Sequence, residues 1–187
     1  MSLRELKPDN AVLAIIDIQE RLMPIMDSGI TAQMVKNTNL FSRMFKMWQA
    51  PIELTEQYPR GLGHTLLDVT RHLPDVVPIE KLAFSAGGEP AFLKALAGHG
   101  RTKVVVVGME THICVLQTVL DLIAEGYAVF VADDAVQSSS KNAWRSGLHL
   151  MRDAGAVVAP SQSLLFQMVG SAGTDEFRFF SKMLKEG

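Results

Sequence analysis

Cysteine is almost absent from this chain: its 187 residues include only one, Cys114. A single thiol closes no internal disulfide and is too little for a thiolate zinc site, which leaves packing or reactivity as its uses. An excess of charge of one sign is lacking too. Lysine and arginine number 18 against 20 acidic residues, without a basic block to neutralise a row of phosphates, so no nucleic-acid partner is expected. Long apolar runs are missing as well. The longest, residues 11–16 and 104–107, fall far short of the roughly 20 needed to cross a bilayer, and no membrane association is expected. Residues 1–10 alternate charges with Leu3 and Leu6 and show no apolar signal-peptide core, so the expected location is cytoplasmic. No H-E-x-x-H or comparable ligand spacing occurs among the five histidines. Gly61-Leu62-Gly63 sits in a proline-containing stretch, not in a strand–turn–helix, and is a poor phosphate cradle. No metal and no cofactor are expected.

What is present suits one self-sufficient core. Hydrophobic residues make up 48% and charged residues 20%, enough apolar surface to offset chain ordering without metals or cross-links. The length suits a single domain spanning 1–187.

The apolar run AVLAII at 11–16 reads as a strand buried on both faces and ends at Asp17. Ile30, Met34, Leu40, Phe41, Met44, Phe45 and Trp48 recur at helical spacing, predicting a helix over 30–48. Residues 51–54 read as a second strand and 55–65 as a loop, being interrupted by proline and two glycines. A third strand is expected at 76–79, followed by Lys81, then a helix over 89–97. Residues 104–107 are the clearest buried strand. A turn at 108–111 leads into a helix over 112–125 with Cys114 in its first turn. Strands at 127–132 and 156–158 and helices at 139–154, 161–169 and 175–185 complete the chain. This alternation predicts an α/β fold, with a mainly parallel sheet covered on both faces and right-handed crossovers.

Ligands of such folds bind beyond the carboxyl ends of the strands, where strand order reverses. Asp17, Lys81 and Cys114 each fall just past a predicted strand end. A lone cysteine is ordinarily a small buried hydrophobe, a strand-end aspartate ordinarily caps a loop, and a lysine is ordinarily solvated. Their shared edge argues for chemistry instead. A thiol in the first turn of a helix feels unpaired N–H groups and the positive dipole end. Together with one lysine these are expected to lower its pKa toward about 7. His112 lies two residues from Cys114, a spacing that does not face it on a helix, and is not expected to be the base.

The stretches AIIDIQ at 14–19, Lys81 with Phe84 and Ser85, and above all GMETHICVLQT at 108–118 resemble the isochorismatase-like cysteine hydrolase superfamily. With TEQYPRGLG at 55–63 included, the chain is most similar to the isochorismatase domain-containing subfamily. That resemblance implies a three-layer α-β-α sandwich with six parallel strands in the order 3-2-1-4-5-6. It implies an Asp17, Lys81, Cys114 triad and a cis peptide between Met109 and Glu110, with the backbone N–H groups of Glu110 and Cys114 forming an oxyanion hole. A homo-oligomer is implied too. Metal-dependent nicotinamidases place an aspartate and a histidine where this chain has Gln57 and Pro59, neither a comparable ligand. Cys114 argues against isochorismate hydrolysis, because true isochorismatases lack the nucleophilic cysteine.

The expected activity is hydrolysis of a small amide, ureide or related acyl compound at a non-peptide C–N bond through a Cys114 thioester, with Tyr58, Phe84 and Trp144 as candidate substrate contacts. The alternative is a non-catalytic binding or scaffold protein, or a thiol-based redox-responsive one, on the same fold.

Overall fold

Strand β1, Ala11–Ile16, is buried at every position, because parallel strands inside an α/β layer meet helices on both faces. In the computed structural model, which describes residues 2–185, it pairs with β2 (Ile52–Gln57) on one side and β4 (Lys103–Met109) on the other. Met1, Glu186 and Gly187 lie outside the described residues. β3 (Ile79–Lys81) joins β2, while β5 (Ala128–Gln137) and β6 (Val157–Ala159) extend the sheet beyond β4. All pairings are parallel and the order is β3-β2-β1-β4-β5-β6, as expected. The order reverses between β1 and β4, so the crevice available to a ligand opens there.

Alternation along the strands sorts the core into two layers. Leu13, Ile15, Leu54, Val105, Val107 and Phe130 face α1 (Ser28–Met47), α7 (Ser161–Val169) and α8 (Asp175–Lys185), meeting Phe41, Phe45, Leu164 and Phe180. Val12, Ala14, Ile16, Val104, Val106 and Val129 face α4 (Pro90–Gly98), α5 (Leu116–Ala124) and α6 (Lys141–Asp153), meeting Phe92, Val119, Leu122 and Met151. Two short helices, α2 (Pro59–Leu62) and α3 (Leu67–Thr70), fill the connection from β2 to β3. Among the described residues no helix is long and apolar enough to cross a membrane.

Several boundaries differ from the sequence expectation, mostly near the reversal point. β2 does not stop at 54; Thr55, Glu56 and Gln57 continue the strand, and 59–62, expected as loop, is helical. Their polar side chains gave no strand pattern because each is satisfied by a specific partner rather than by apolar packing. β3 begins at Ile79 and contains Lys81 as its last residue, instead of ending before it. β5 runs on to Gln137 past a register shift opposite Val106 and Gly108, and so carries the acidic pair Asp133 and Asp134 within the strand. The helix expected over 112–125 is divided: Thr111–Val115 forms a wide π-type turn, with the Val115 N–H donating to Glu110 O at 3.2 Å, before α5 begins.

One glycine is dictated by the close approach of β1 and β4. Gly108 has φ +125°, and a Cβ there would fall 2.0 Å from the carbonyl oxygen of Ile16. Gly108→Ala is therefore expected to lower stability by about 3 kcal/mol or more, read as a shifted denaturant midpoint. An unchanged midpoint would contradict this packing.

Candidate active site

Three strand ends bring their polar side chains to one place. Asp17 follows β1 in a left-handed conformation, φ 49°, and is 1% exposed. Lys81 ends β3, two strands away, and its long stem spans β2 so that Nζ reaches Asp17 Oδ2 at 2.7 Å. β2 supplies the bridging groups: Thr55 Oγ1 donates to Asp17 Oδ1 at 2.8 Å, and Gln57 Oε1 accepts from Lys81 Nζ at 2.8 Å. Lys81 also donates to Phe84 O at 2.8 Å and more weakly to Ala83 O at 3.2 Å, so the ammonium ties down the loop after its own strand. A charge pair removed from water needs this degree of hydrogen bonding, since desolvation otherwise outweighs the attraction.

Cys114 enters from β4. The peptide between Met109 and Glu110 is cis, and the π-type turn that follows carries Cys114 to the cavity that Asp17 also lines. Gly147 of α6 packs against this turn so closely that a Cβ would lie 2.9 Å from Thr111 O. Glu110 turns its carboxylate away, accepting from the Ser139 N–H at 2.6 Å, while His112 Nδ1 sits 3.0 Å from Ser138 Oγ. Both anchors fix the turn to the end of β5. In front of the thiol lies a cavity of about 110 Å³ lined by Asp17, Leu22, Gln57, Leu62, Phe84, Glu110, Ile113 and Cys114.

A profile of the isochorismatase domain family matches residues 11–163. The chain belongs to the isochorismatase family. It is 35% identical to the secreted isochorismatase effector Isc1 of Phytophthora sojae, over 98% of this chain and 89% of that protein. It is 34% identical to isochorismatase domain-containing protein 2A of Mus musculus, over 99% and 87% respectively. Among solved structures it is similar to one described as the MAR1 ribonuclease of Caenorhabditis elegans, with a TM-score of 0.89 and 30% identity, covering 96% of this chain and 92% of that one. An isochorismatase-family hydrolase fold thus places Asp17, Lys81 and Cys114 together, as the sequence expectation had them.

The charge state of the thiol in this isochorismatase-family chain differs from expectation. The Cys114 thiol is pushed up to about 12, first by burial and then by the Asp17 carboxylate, with Lys81 pulling the other way. The expected lowering toward neutrality fails because Cys114 is only 8% exposed and the Asp17 carboxylate acts on it more strongly than Lys81 does, which together outweigh a helix terminus. The resting group is a thiol beside the Asp17 carboxylate.

Of the three candidate substrate contacts, only Phe84 lines this cavity. Tyr58, in a left-handed conformation, lays its ring on α2, where a Cβ on Gly61 would fall 2.3 Å from ring carbon Cδ1. It borders a neighbouring cleft with Arg60 and Glu80. Trp144 donates its indole N–H to Asp133 O at 3.1 Å and lines a separate cavity of about 430 Å³ with Ile30 and Lys141. Sequence reasoning missed Thr55, Leu22, Leu62 and Ile113, and treated Gln57 only as a missing metal ligand. The spacing of Thr55 and Gln57, two apart at a strand end, was the available signal, since it places both on one face. The amide of Gln57 is committed on both sides, to Lys81 and, through Nε2, to Leu82 O at 2.8 Å.

Two outcomes follow. The folded pKa of Cys114 is raised above the unfolded value, so its contribution to stability is complete below about pH 9 and is lost as pH rises toward 12. Alkylation by N-ethylmaleimide at pH 7.5 should accordingly be slower in the native protein than in urea, and Asp17→Asn, which removes a raising influence, should accelerate it. Native alkylation as fast as unfolded would contradict the buried thiol. Lys81→Met should cost about 3–5 kcal/mol in denaturant unfolding by stranding the Asp17 carboxylate. Adding Asp17→Asn to it should recover part of that loss; strict additivity would show the two are uncoupled.

Proposed function

We propose that this chain, as one hydrolase domain, cleaves a small amide or related acyl compound at a non-peptide C–N bond, with Cys114 as nucleophile. The observation that carries the reading is a single buried thiol that shares one small cavity with an aspartate held by a buried lysine. In the proposed sequence Asp17 takes the Cys114 proton as sulfur attacks the substrate carbonyl. The oxyanion is held by the backbone N–H groups of Glu110 and Cys114, both on residues of the cavity wall. Asp17 returns the proton to the departing nitrogen, leaving a thioester and a free amine or ammonia. A water then gives its proton to Asp17, and its oxygen adds to the acyl carbon. The carboxylic acid leaves and the proton goes back to sulfur. Lys81 holds the Asp17 carboxyl in place through both halves, which makes it a positioning residue. The high resting pKa of the thiol means proton transfer and attack occur together rather than from a stored thiolate.

This reading includes action in the cytoplasm and self-association. The exposed apolar side chains of Phe84 at this cavity and of Tyr58 and Leu82 on the neighbouring cleft are consistent with contact between copies. The rival is a binding or redox-responsive protein on the same fold. The C. elegans structure described as a ribonuclease raises RNA as another substrate, but a cavity this small, and a chain of net charge −2, suit a polyanion poorly.

Cys114→Ala should fold with an unchanged thermal midpoint within about 1 kcal/mol and lose turnover of any amide by about 10³-fold or more. Wild-type protein quenched during turnover should gain the mass of the acyl group on the peptide bearing Cys114. Undiminished turnover by Cys114→Ala would overturn the mechanism, and RNA cleavage that persists in Cys114→Ala would point to a different site.

A further inference from the structure

The cavity at Cys114 is polar at its floor and hydrocarbon elsewhere. Asp17, Gln57, Glu110 and Cys114 surround the reacting position, while Leu22, Leu62, Phe84 and Ile113 form the walls. These four come from different elements: Leu22 from the turn after β1, Leu62 from α2, Phe84 from the loop after β3 and Ile113 from the π-type turn. A ligand whose carbonyl meets the thiol must therefore place the rest of its acyl group against hydrocarbon.

Size is limited by how α2 is held. Gln19, fully buried, donates from Nε2 to Gly63 O at 2.7 Å and to Gln57 O at 3.0 Å, while its Oε1 accepts from the Gln57 N–H at 2.8 Å. Arg21 Nη1 donates to Gly61 O at 2.9 Å. The far side of the same segment is fastened by buried Glu56, whose Oε1 accepts from the Thr65 N–H at 2.7 Å and from Thr65 Oγ1 at 2.8 Å. Leu62 is thus a wall carried on a segment pinned at both ends. A space of about 110 Å³ is far below that of a drug-sized pocket. At about 30 Å³ per water-sized group it holds roughly four non-hydrogen atoms, the size of a propionyl group.

Charge is limited by what the cavity lacks to offer. None of its lining residues is lysine, arginine or histidine. The nearby cation, Lys81, already spreads its donors over Asp17, Gln57, Ala83 and Phe84. Glu110 is engaged with Ser139, and Asp17 with Lys81 and Thr55. A carboxylate on the substrate would enter this space unpaired, at a desolvation cost the walls do not return. A cationic substrate would find the Asp17 charge already paired with Lys81 and the Glu110 carboxylate turned toward Ser139.

We infer that the substrate is a short, uncharged aliphatic amide, with Leu22, Leu62, Phe84 and Ile113 setting the length of its acyl group and excluding anionic ones. The inference rests on the cysteine-hydrolase reading of the same site and adds to it the acyl portion. Hydrolysis then releases a short fatty acid together with ammonia or an amine, so the reaction that supplies the substrate is one that yields small neutral amides.

The test compares kcat/KM of the full-length protein for propionamide, butyramide, hexanamide, benzamide and malonamate, the last near butyramide in size but carrying a carboxylate. The expected result is a maximum at propionamide or butyramide. Hexanamide and benzamide should be down by about tenfold or more, and malonamate by about a hundredfold. Leu62→Ala should move the optimum toward hexanamide, and Leu62→Arg should raise the malonamate-to-butyramide ratio by about tenfold or more. In the wild type alone, protection of Cys114 from N-ethylmaleimide should follow the same order, which keeps the test independent of how the variants fold. If malonamate, hexanamide or benzamide acylates Cys114 as fast as butyramide, the inferred class is wrong while the thioester reading stands. If no amide of either kind acylates Cys114, both are overturned.

Discussion

The Asp17–Lys81 ion pair is the constraint around which the rest of the site is arranged. Two charges with almost no exposure cannot be held by their mutual attraction alone. The surrounding chain supplies what is missing: the Thr55 hydroxyl for the second oxygen of Asp17, and the Gln57 amide and two loop carbonyls for the remaining donors of Lys81. Those partners join β1, β2, β3 and the loop carrying Phe84 into one network. This is why β2 stays extended through three polar residues and why β3 reaches Lys81. The cost of breaking the pair also fixes the pair's geometry, so the carboxylate beside Cys114 is held at one position.

That same arrangement explains a thiol that is harder, not easier, to ionise. Displacing the Cys114 pKa from 9.0 to about 12 corresponds to about 4 kcal/mol against the free thiolate, more than a helix terminus returns. In the mechanism we propose, such a buried thiol reacts little with solutes at rest and becomes reactive only when a carbonyl occupies the cavity and attack can proceed as Asp17 receives the proton. Selectivity would then belong to the walls formed by Leu22, Leu62, Phe84 and Ile113, with the pinned segment from β2 to α3 setting how much room a ligand finds.

Much of the fold was legible because its central strands are continuous apolar runs. AVLAII at β1 and the valines of β4 admit few alternatives once strands and helices alternate over the chain, and the resemblance carried by GMETHICVLQT supplied the strand order and the cis peptide. The boundaries that differed are those where burial is polar. Thr55, Glu56 and Gln57 are buried through hydrogen bonds to residues 17, 19, 64, 65, 81 and 82, partners that periodicity does not reveal. The π-type turn was hidden for a related reason: the sequence after Thr111 reads as helix, and the hydrogen bonds from Val115 back to Glu110 and from Leu116 back to Thr111 widen its first turn.

What the sequence by itself determined was which residue types stand at the carboxyl ends of the strands, because strands, helices and the turns between them follow from apolar patterning and local turn residues. Asp17, Lys81 and Cys114 were identified in that way and lie together. Only the tertiary structure decided the protonation of the thiol, the small apolar cavity, the use of Gln57 on Lys81, and the placement of Tyr58 over Gly61 and Trp144 against Asp133. Each of those depends on burial and on partners distant in sequence, and desolvation and hydrogen bonding across elements have no signature in local spacing.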